Sequence, residues 1–190
     1  MKEVILTVGP RASGKSSFCE RVVAVDSDIV LISRDNLIIE LCGKTDLDPY
    51  SDGHRNALGM MWKMLEENLR TNSRTRIILD TWNGSSGDRT SIISRLDKLG
   101  ASRISAWYFT TSIEYVSEWF WQKPGIAKMS EMRTRQHENL SFFREDEVRR
   151  SYELFHQLAK KIDRDGFHEV TRLDPLVDAP ETMICSRTGP

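Results

Sequence analysis

The sequence contains no apolar run that approaches the roughly 20 residues needed to cross a bilayer, which excludes a membrane-spanning segment. Its start, Met1-Lys2-Glu3, leads directly into strand-like residues and lacks a signal-peptide cleavage pattern. Cysteine is scarce: Cys19, Cys42 and Cys185 are odd in number and have no metal-ligand spacing, which argues against a disulfide scaffold or a zinc site. The histidines at 54, 137, 156 and 168 show no ligand spacing either, and no Ser-His-Asp arrangement is present. Neither sign of charge is in excess. With 27 basic and 28 acidic residues the net charge is -1, so any contact with a polyanion must come from a local patch. Internal repeats are absent. These absences predict an intracellular, cytoplasmic protein with no membrane partner, and leave the oligomeric state open.

What remains is ordinary globular material. A 190-residue chain that is 39% hydrophobic can bury one sizeable core. Five short apolar runs stand out: Val4–Val8, Asp28–Ile32, Arg76–Leu79, Ile104–Phe109 and His168–Leu173. Helical patterns lie between them, near 15–24, 54–70, 87–99, 112–121 and 145–163. Strands alternating with helices predict parallel pairing through right-handed crossovers, hence a three-layer α/β fold on a parallel five-stranded sheet. Ligands of such sheets sit beyond the carboxyl ends of the strands. Residues 1–175 are expected to form the domain, and 176–190 a poorly ordered C-terminal tail.

The first strand runs into Gly9-Pro10-Arg11-Ala12-Ser13-Gly14-Lys15-Ser16, a full match to the phosphate-binding loop G-x-x-x-x-G-K-[ST]. A helical stretch beginning at Ser16-Ser17 follows it, so strand, loop and helix N-terminus come in the order an anion site requires. Gly9 and Gly14 let the backbone approach phosphate. Arg11, Ala12, Ser13, Gly14, Lys15, Ser16 and Ser17 supply the surrounding groups. Lys15 reaches the β- and γ-phosphates, and the Ser16 hydroxyl is a magnesium ligand. ATP and Mg²⁺ are the expected cofactors.

Beyond the second strand come Ser33-Arg34-Asp35-Asn36. Asp35 reads equally as a general base for an attacking hydroxyl or as a helix N-cap. Beyond the third come Asp80-Thr81-Trp82-Asn83, where Asp80 reads either as the Walker B acid, a second magnesium ligand, or as the cap of the following turn. Trp82 can stack on a base or plug a loop. Trp62 and Trp107 read as core. Trp119 and Trp121 end the fourth predicted helix, and one of them, Trp121 by preference, is a candidate for an acceptor groove.

Residues 122–143 are polar, basic in places and broken by Pro124-Gly125. They read either as a solvated helical excursion or as a lid whose Lys123, Lys128, Arg133 or Arg135 closes over the phosphates late in the reaction, and spacing does not say which.

Taken together, the phosphate loop, Ser33-Arg34-Asp35 and Leu79-Asp80-Thr81-Trp82-Asn83 resemble the kinase domain of bacteriophage-type polynucleotide 5′-hydroxyl kinases, within a wider group of zeta-toxin-like and small P-loop kinases. Arg144 to Tyr152 is similar to the helix after that family's lid, and Gly166 to Val170 to its last strand. The resemblance implies a P-loop kinase fold with a lid insertion. It also implies Asp35 as the base, Lys15 and Ser16 serving ATP·Mg²⁺, and the lid arginines Arg133 and Arg135 clamping the γ-phosphate. Arg34, Asn36, Trp82, Asn83 and Trp121 become the candidate acceptor contacts. The acceptor it implies is nucleic acid, DNA in preference. One departure concerns that acceptor. Where the family has an arginine three residues after the catalytic aspartate, this chain has Ile38. A hydroxyl other than a free 5′ end is therefore among the expected acceptors, such as the hydroxymethyl group of 5-hydroxymethyluracil in DNA. A small-molecule kinase and a nucleotide-binding module without catalysis remain the alternatives.

Overall fold

The computed structural model describes residues 1–43, 50–132 and 140–185. In chain order its elements are β1 (Lys2–Val8), α1 (Lys15–Val25), β2 (Ile29–Ser33), α2 (Arg34–Cys42), α3 (Asp52–Thr71), β3 (Thr75–Asp80), α4 (Ser86–Lys98), β4 (Arg103–Phe109) and α5 (Ile113–Trp121). There follow β5 (Ile126–Lys128), β6 (Ser141–Phe143), α6 (Glu145–Ala159), β7 (Glu169–Leu173) and α7 (Pro180–Cys185). Five strands pair in parallel in the order β2-β3-β1-β4-β7, as the alternation of strands and helices predicts. The central strand β1 carries the phosphate loop at its carboxyl end.

Alternation within each strand builds the three layers. Val4, Leu6 and Val8 of β1, Ile77 and Leu79 of β3, and Ile104 and Ala106 of β4 face one side, against Met61, Leu65 and Leu69 of α3, Leu96 of α4 and Phe155 of α6. Ile5, Ile78, Trp107 and Phe109 face the other, against Phe18, Cys19 and Val22 of α1. A strand with apolar residues at every position is thus covered on both faces. Trp62 and Trp107 lie in these cores, as expected. A third, smaller cluster of Ala12, Val116, Phe120 and Val148 fastens the phosphate loop to α5 and α6.

Two buried carboxylates with arginine partners were not foreseen. At the amino end of β1, buried Glu3 is flanked by Arg76 (3.3 Å) and Arg103 (3.4 Å). Behind the carboxyl end of β3, fully buried Arg89 meets Asp165 at 2.6 Å and donates to the carbonyls of Asn83, Gly84 and Leu158. That fork holds the turn after β3 rigid.

The described parts of the region expected to be a lid form a two-stranded parallel ribbon, β5 with β6, joined by short connections to α5 and α6. Two expectations are revised. The helix sought over 145–163 ends at Ala159 and continues as a 3-10 turn at Ile162–Arg164. The segment past Pro175, expected as a poorly ordered tail, contains α7, whose Met183 and Ile184 pack on the α1 face of the sheet. Among the described residues no helix is long and apolar enough to cross a membrane.

Candidate active site

The carboxyl edge of the sheet opens into a cleft of about 1510 Å³, lined by the phosphate loop, Arg34, Asp35, Asp80, Trp82, Asn83, Trp119 and Lys123. The loop is shaped by two left-handed residues. Gly14 (φ 81°) is the N-cap of α1, and Ala12 adopts φ 64°, a conformation costly for a residue with a Cβ. The Ala12 methyl is buried against Val116 and Phe120, which compensates. Ser13 is fully buried; its Oγ donates to the Pro10 carbonyl (2.8 Å) and its own carbonyl accepts from Thr111 Oγ1 (2.8 Å). Gly9 has no room for a side chain: a Cβ would lie 2.8 Å from Ser13 Oγ and 2.9 Å from Phe109 Cβ.

Lys15 Nζ donates to the carbonyls of Gly9 (3.0 Å) and Pro10 (2.8 Å). Burial pushes its pKa below the usual lysine value, with Asp80 pulling it back up. Ser16 Oγ donates to Asp80 Oδ2 (2.9 Å), while Thr7 Oγ1 donates to Asp80 Oδ1 (2.7 Å). The loop's serine and the β3 carboxylate therefore share one point. A hydroxyl and a carboxylate side by side are the hard oxygen donors that magnesium takes alongside phosphate oxygens and water, so Ser16 and Asp80 fit that ion. Asn83 is a staple rather than a free wall residue: its Nδ2 donates to the carbonyls of Thr7 (2.6 Å) and Thr81 (3.0 Å).

At Asp35 the tertiary structure removes the cap reading. Ser33 is the N-cap of α2, its side chain accepting from the Asn36 N–H. The Asp35 carboxylate is released from that duty, is 59% exposed, and lines the cleft with one oxygen taking both Nε and Nη2 of Arg34. Asn36 is exposed and does not line the cleft. Ile38 is 1% exposed and belongs to the core, so the neighbouring wall is made by Ile39 instead.

The tryptophans divide differently from expectation. Trp82 is 57% exposed at the cleft and meets Phe155 edge to face at 6.4 Å. Trp119 lines the cleft beside Pro175, both closing on Gly14. Trp121 does not line it; it packs on Phe120 at 5.1 Å and carries the Lys128 ammonium at 5.3 Å. Trp121 sits two residues further along α5 than Trp119, and that rotation turns it into the lid cluster. Lys128 pairs with Glu145 and is thereby occupied. Lys123 does reach the cleft. Burial lowers its pKa, the charge of Arg11 lowers it further, and Asp35 and Asp80 oppose. Arg133 and Arg135 lie outside the described residues.

Fold and site together define a P-loop protein of the small-kinase architecture, with the loop, the metal-type oxygen pair and a cleft carboxylate at one sheet edge. Residues 4–145 match the family AAA_33, described as an AAA domain, and the chain belongs to that family. Similar folds include a protein from Chloroflexus aurantiacus provisionally titled a kinase (TM-score 0.63, 13% identity, covering 96% of this chain and 95% of that one). Shikimate kinase from Acinetobacter baumannii, solved with shikimate, is similar with a TM-score of 0.53 and 15% identity over 97% of this chain and 91% of that one. A chain of the Pnkp1/Rnl/Hen1 RNA repair complex is similar over 84% of this chain and 46% of its own length, with a TM-score of 0.62 and 16% identity. No curated protein matches this chain.

Proposed function

We propose that the protein is a kinase that transfers the γ-phosphoryl group of ATP to a hydroxyl of a nucleic-acid acceptor, DNA in preference. The observation that carries this reading is the placement of Asp35, capless and exposed, in the same cleft as Lys15 and the Ser16–Asp80 pair. The acceptor hydroxyl attacks the γ-phosphorus, a new O–P bond forms, and its proton passes to the Asp35 carboxylate. The bond from the γ-phosphorus to the oxygen bridging the β-phosphorus breaks, and ADP leaves. Lys15 and the loop N–H groups bind the phosphates and offset the charge on the equatorial oxygens. Magnesium would be held by Ser16 and Asp80 and would neutralise phosphate charge. Trp119 and Pro175 offer flat surfaces for the nucleotide base.

Among the other residues that line the cleft, Ile39, His54, Trp82 and Phe155 suit a planar ring rather than a run of phosphates. This supports an acceptor base held on an aromatic face, with 5-hydroxymethyluracil in DNA among the candidates. A second reading, a small-molecule kinase, is favoured by the net charge of -1. Labelled ATP offered to 5′-hydroxyl DNA and RNA, hydroxymethylated duplex DNA, nucleosides and shikimate decides between them. Labelling of a polymer that falls steeply with salt supports nucleic acid; labelling confined to small molecules overturns it.

A further inference from the structure

Arg11 stands at the tip of the phosphate loop and borders two cavities. One is the cleft; the other is an apolar pocket of about 310 Å³ under the lid ribbon. Its guanidinium lies over two rings at once, 5.4 Å from the centroid of Phe120 on α5 and 5.6 Å from that of Phe143 on the lid strand β6. No carboxylate among the described residues forms an ion pair with it. Its charge instead bears on another cation, Lys123, whose ammonium it disfavours. Two like charges at the mouth of an anion-binding loop, neither neutralised by a described carboxylate in contact, leave an electrostatic demand that an anion between them would meet. The backbone directs Arg11 there, because the left-handed Ala12 beside it is pinned by its buried methyl.

We infer that Arg11 is a mobile catalytic cation with two seats: the aromatic seat on Phe120 and Phe143, and the γ-phosphate of a bound nucleoside triphosphate. This rests on the donor reading given above. A cation–π contact at an exposed site is weak beside a charge-assisted hydrogen bond to phosphate, so triphosphate draws the guanidinium off the rings. A diphosphate, one phosphoryl group shorter, does not reach it. Because Phe143 belongs to the lid, leaving the aromatic seat also frees the lid strand to move. Arg11 makes and breaks no covalent bond; it stabilises charge on the transferring group.

The test is calorimetric titration of the full chain with ADP and with β,γ-imido-ATP, both with Mg²⁺. Arg11→Ala is expected to weaken the imido-triphosphate about tenfold or more, the range of one charged hydrogen bond, and to leave ADP within about twofold. Retained ADP binding shows that the loop is folded. Arg11→Lys is expected to fall between, since an ammonium lacks the planar fork. Phe143→Leu, which removes one ring of the resting seat, is expected to tighten the triphosphate and not ADP. Equal loss of both nucleotides in Arg11→Ala, or loss of neither, overturns the inference while the donor reading stands. Unchanged binding of both in Lys15→Ala overturns the donor reading, and this inference with it.

Discussion

Ser16 donates its hydroxyl hydrogen to Asp80 Oδ2 at 2.9 Å, joining the end of the phosphate loop to the end of a strand 64 residues further along the chain. Thr7, on the central strand between them, holds the other Asp80 oxygen at 2.7 Å. In the proposed reaction this pair would supply protein oxygens to magnesium. Asp80→Asn is expected to lower phosphoryl transfer by about 10²–10³ and to remove the advantage that Mg²⁺ gives to ATP binding. Titrating ATP with and without Mg²⁺ checks it; an unchanged Mg²⁺ dependence would place the metal elsewhere.

Asp35 is free of the capping role that Ser33 fills. Asp35→Asn is therefore expected to reduce transfer by about 10²–10⁴ without altering ADP affinity or thermal stability. Ser33→Ala shows the converse pattern, a loss of about 1 kcal/mol in stability. Single-turnover rates and melting curves on the two variants separate catalysis from capping.

Gly14 holds φ 81°, and a Cβ there would lie 3.0 Å from Trp119 and 3.1 Å from Pro175. Gly14→Ala combines backbone strain of about 1–3 kcal/mol with displacement of both walls of the proposed base slot. Weaker ATP binding and a melting temperature lower by several degrees are expected. Native ATP affinity in this variant would show that the loop tolerates a different path.

Arg89 and Asp165 form a fully buried pair behind the turn that carries Trp82. Removing one partner strands a charge, so Arg89→Met is expected to cost about 3–5 kcal/mol in denaturant unfolding. The double variant Arg89→Met/Asp165→Leu is expected to recover much of that loss. If the double variant is as unstable as the single, the forked bonds to the Asn83, Gly84 and Leu158 carbonyls outweigh the charge term.

His156 Nδ1 shares a hydrogen bond with the Tyr108 hydroxyl, and its buried Nε2 has no hydrogen-bond partner among the described residues. Burial lowers its pKa from 6.5. The unfolded chain therefore binds this proton more readily than the folded one, and folding stability falls as pH drops through 6.5 toward the folded value. His156→Gln is expected to flatten stability against pH in that window. A slope unchanged by the substitution would assign it to other groups.

Local pattern alone was enough for the strand–loop–helix order at 2–25, the five parallel strands and the two core tryptophans, because these depend on periodicity and turn chemistry along the chain. Whether Asp35 caps α2 could not be read until Ser33 was seen to take the cap. Trp119 and Trp121, two residues apart, could be told apart only by the rotation of α5 against the loop. The tail past Pro175 was short and polar by composition, yet Met183 and Ile184 found a face on the sheet.

By itself the sequence determined the loop half of the proposed site: a glycine-bounded loop with lysine and serine at fixed spacing, framed by a strand and a helix, needs only local backbone geometry to take its shape. The tertiary structure alone decided which distant groups complete it. Asp80 meets Ser16, Arg11 rests on Phe120 and Phe143, Lys123 reaches the cleft, and Ile39 rather than Ile38 forms the wall. Those relations depend on strand order and helix rotation, and charge or stacking acts through space, where separation along the chain carries no weight.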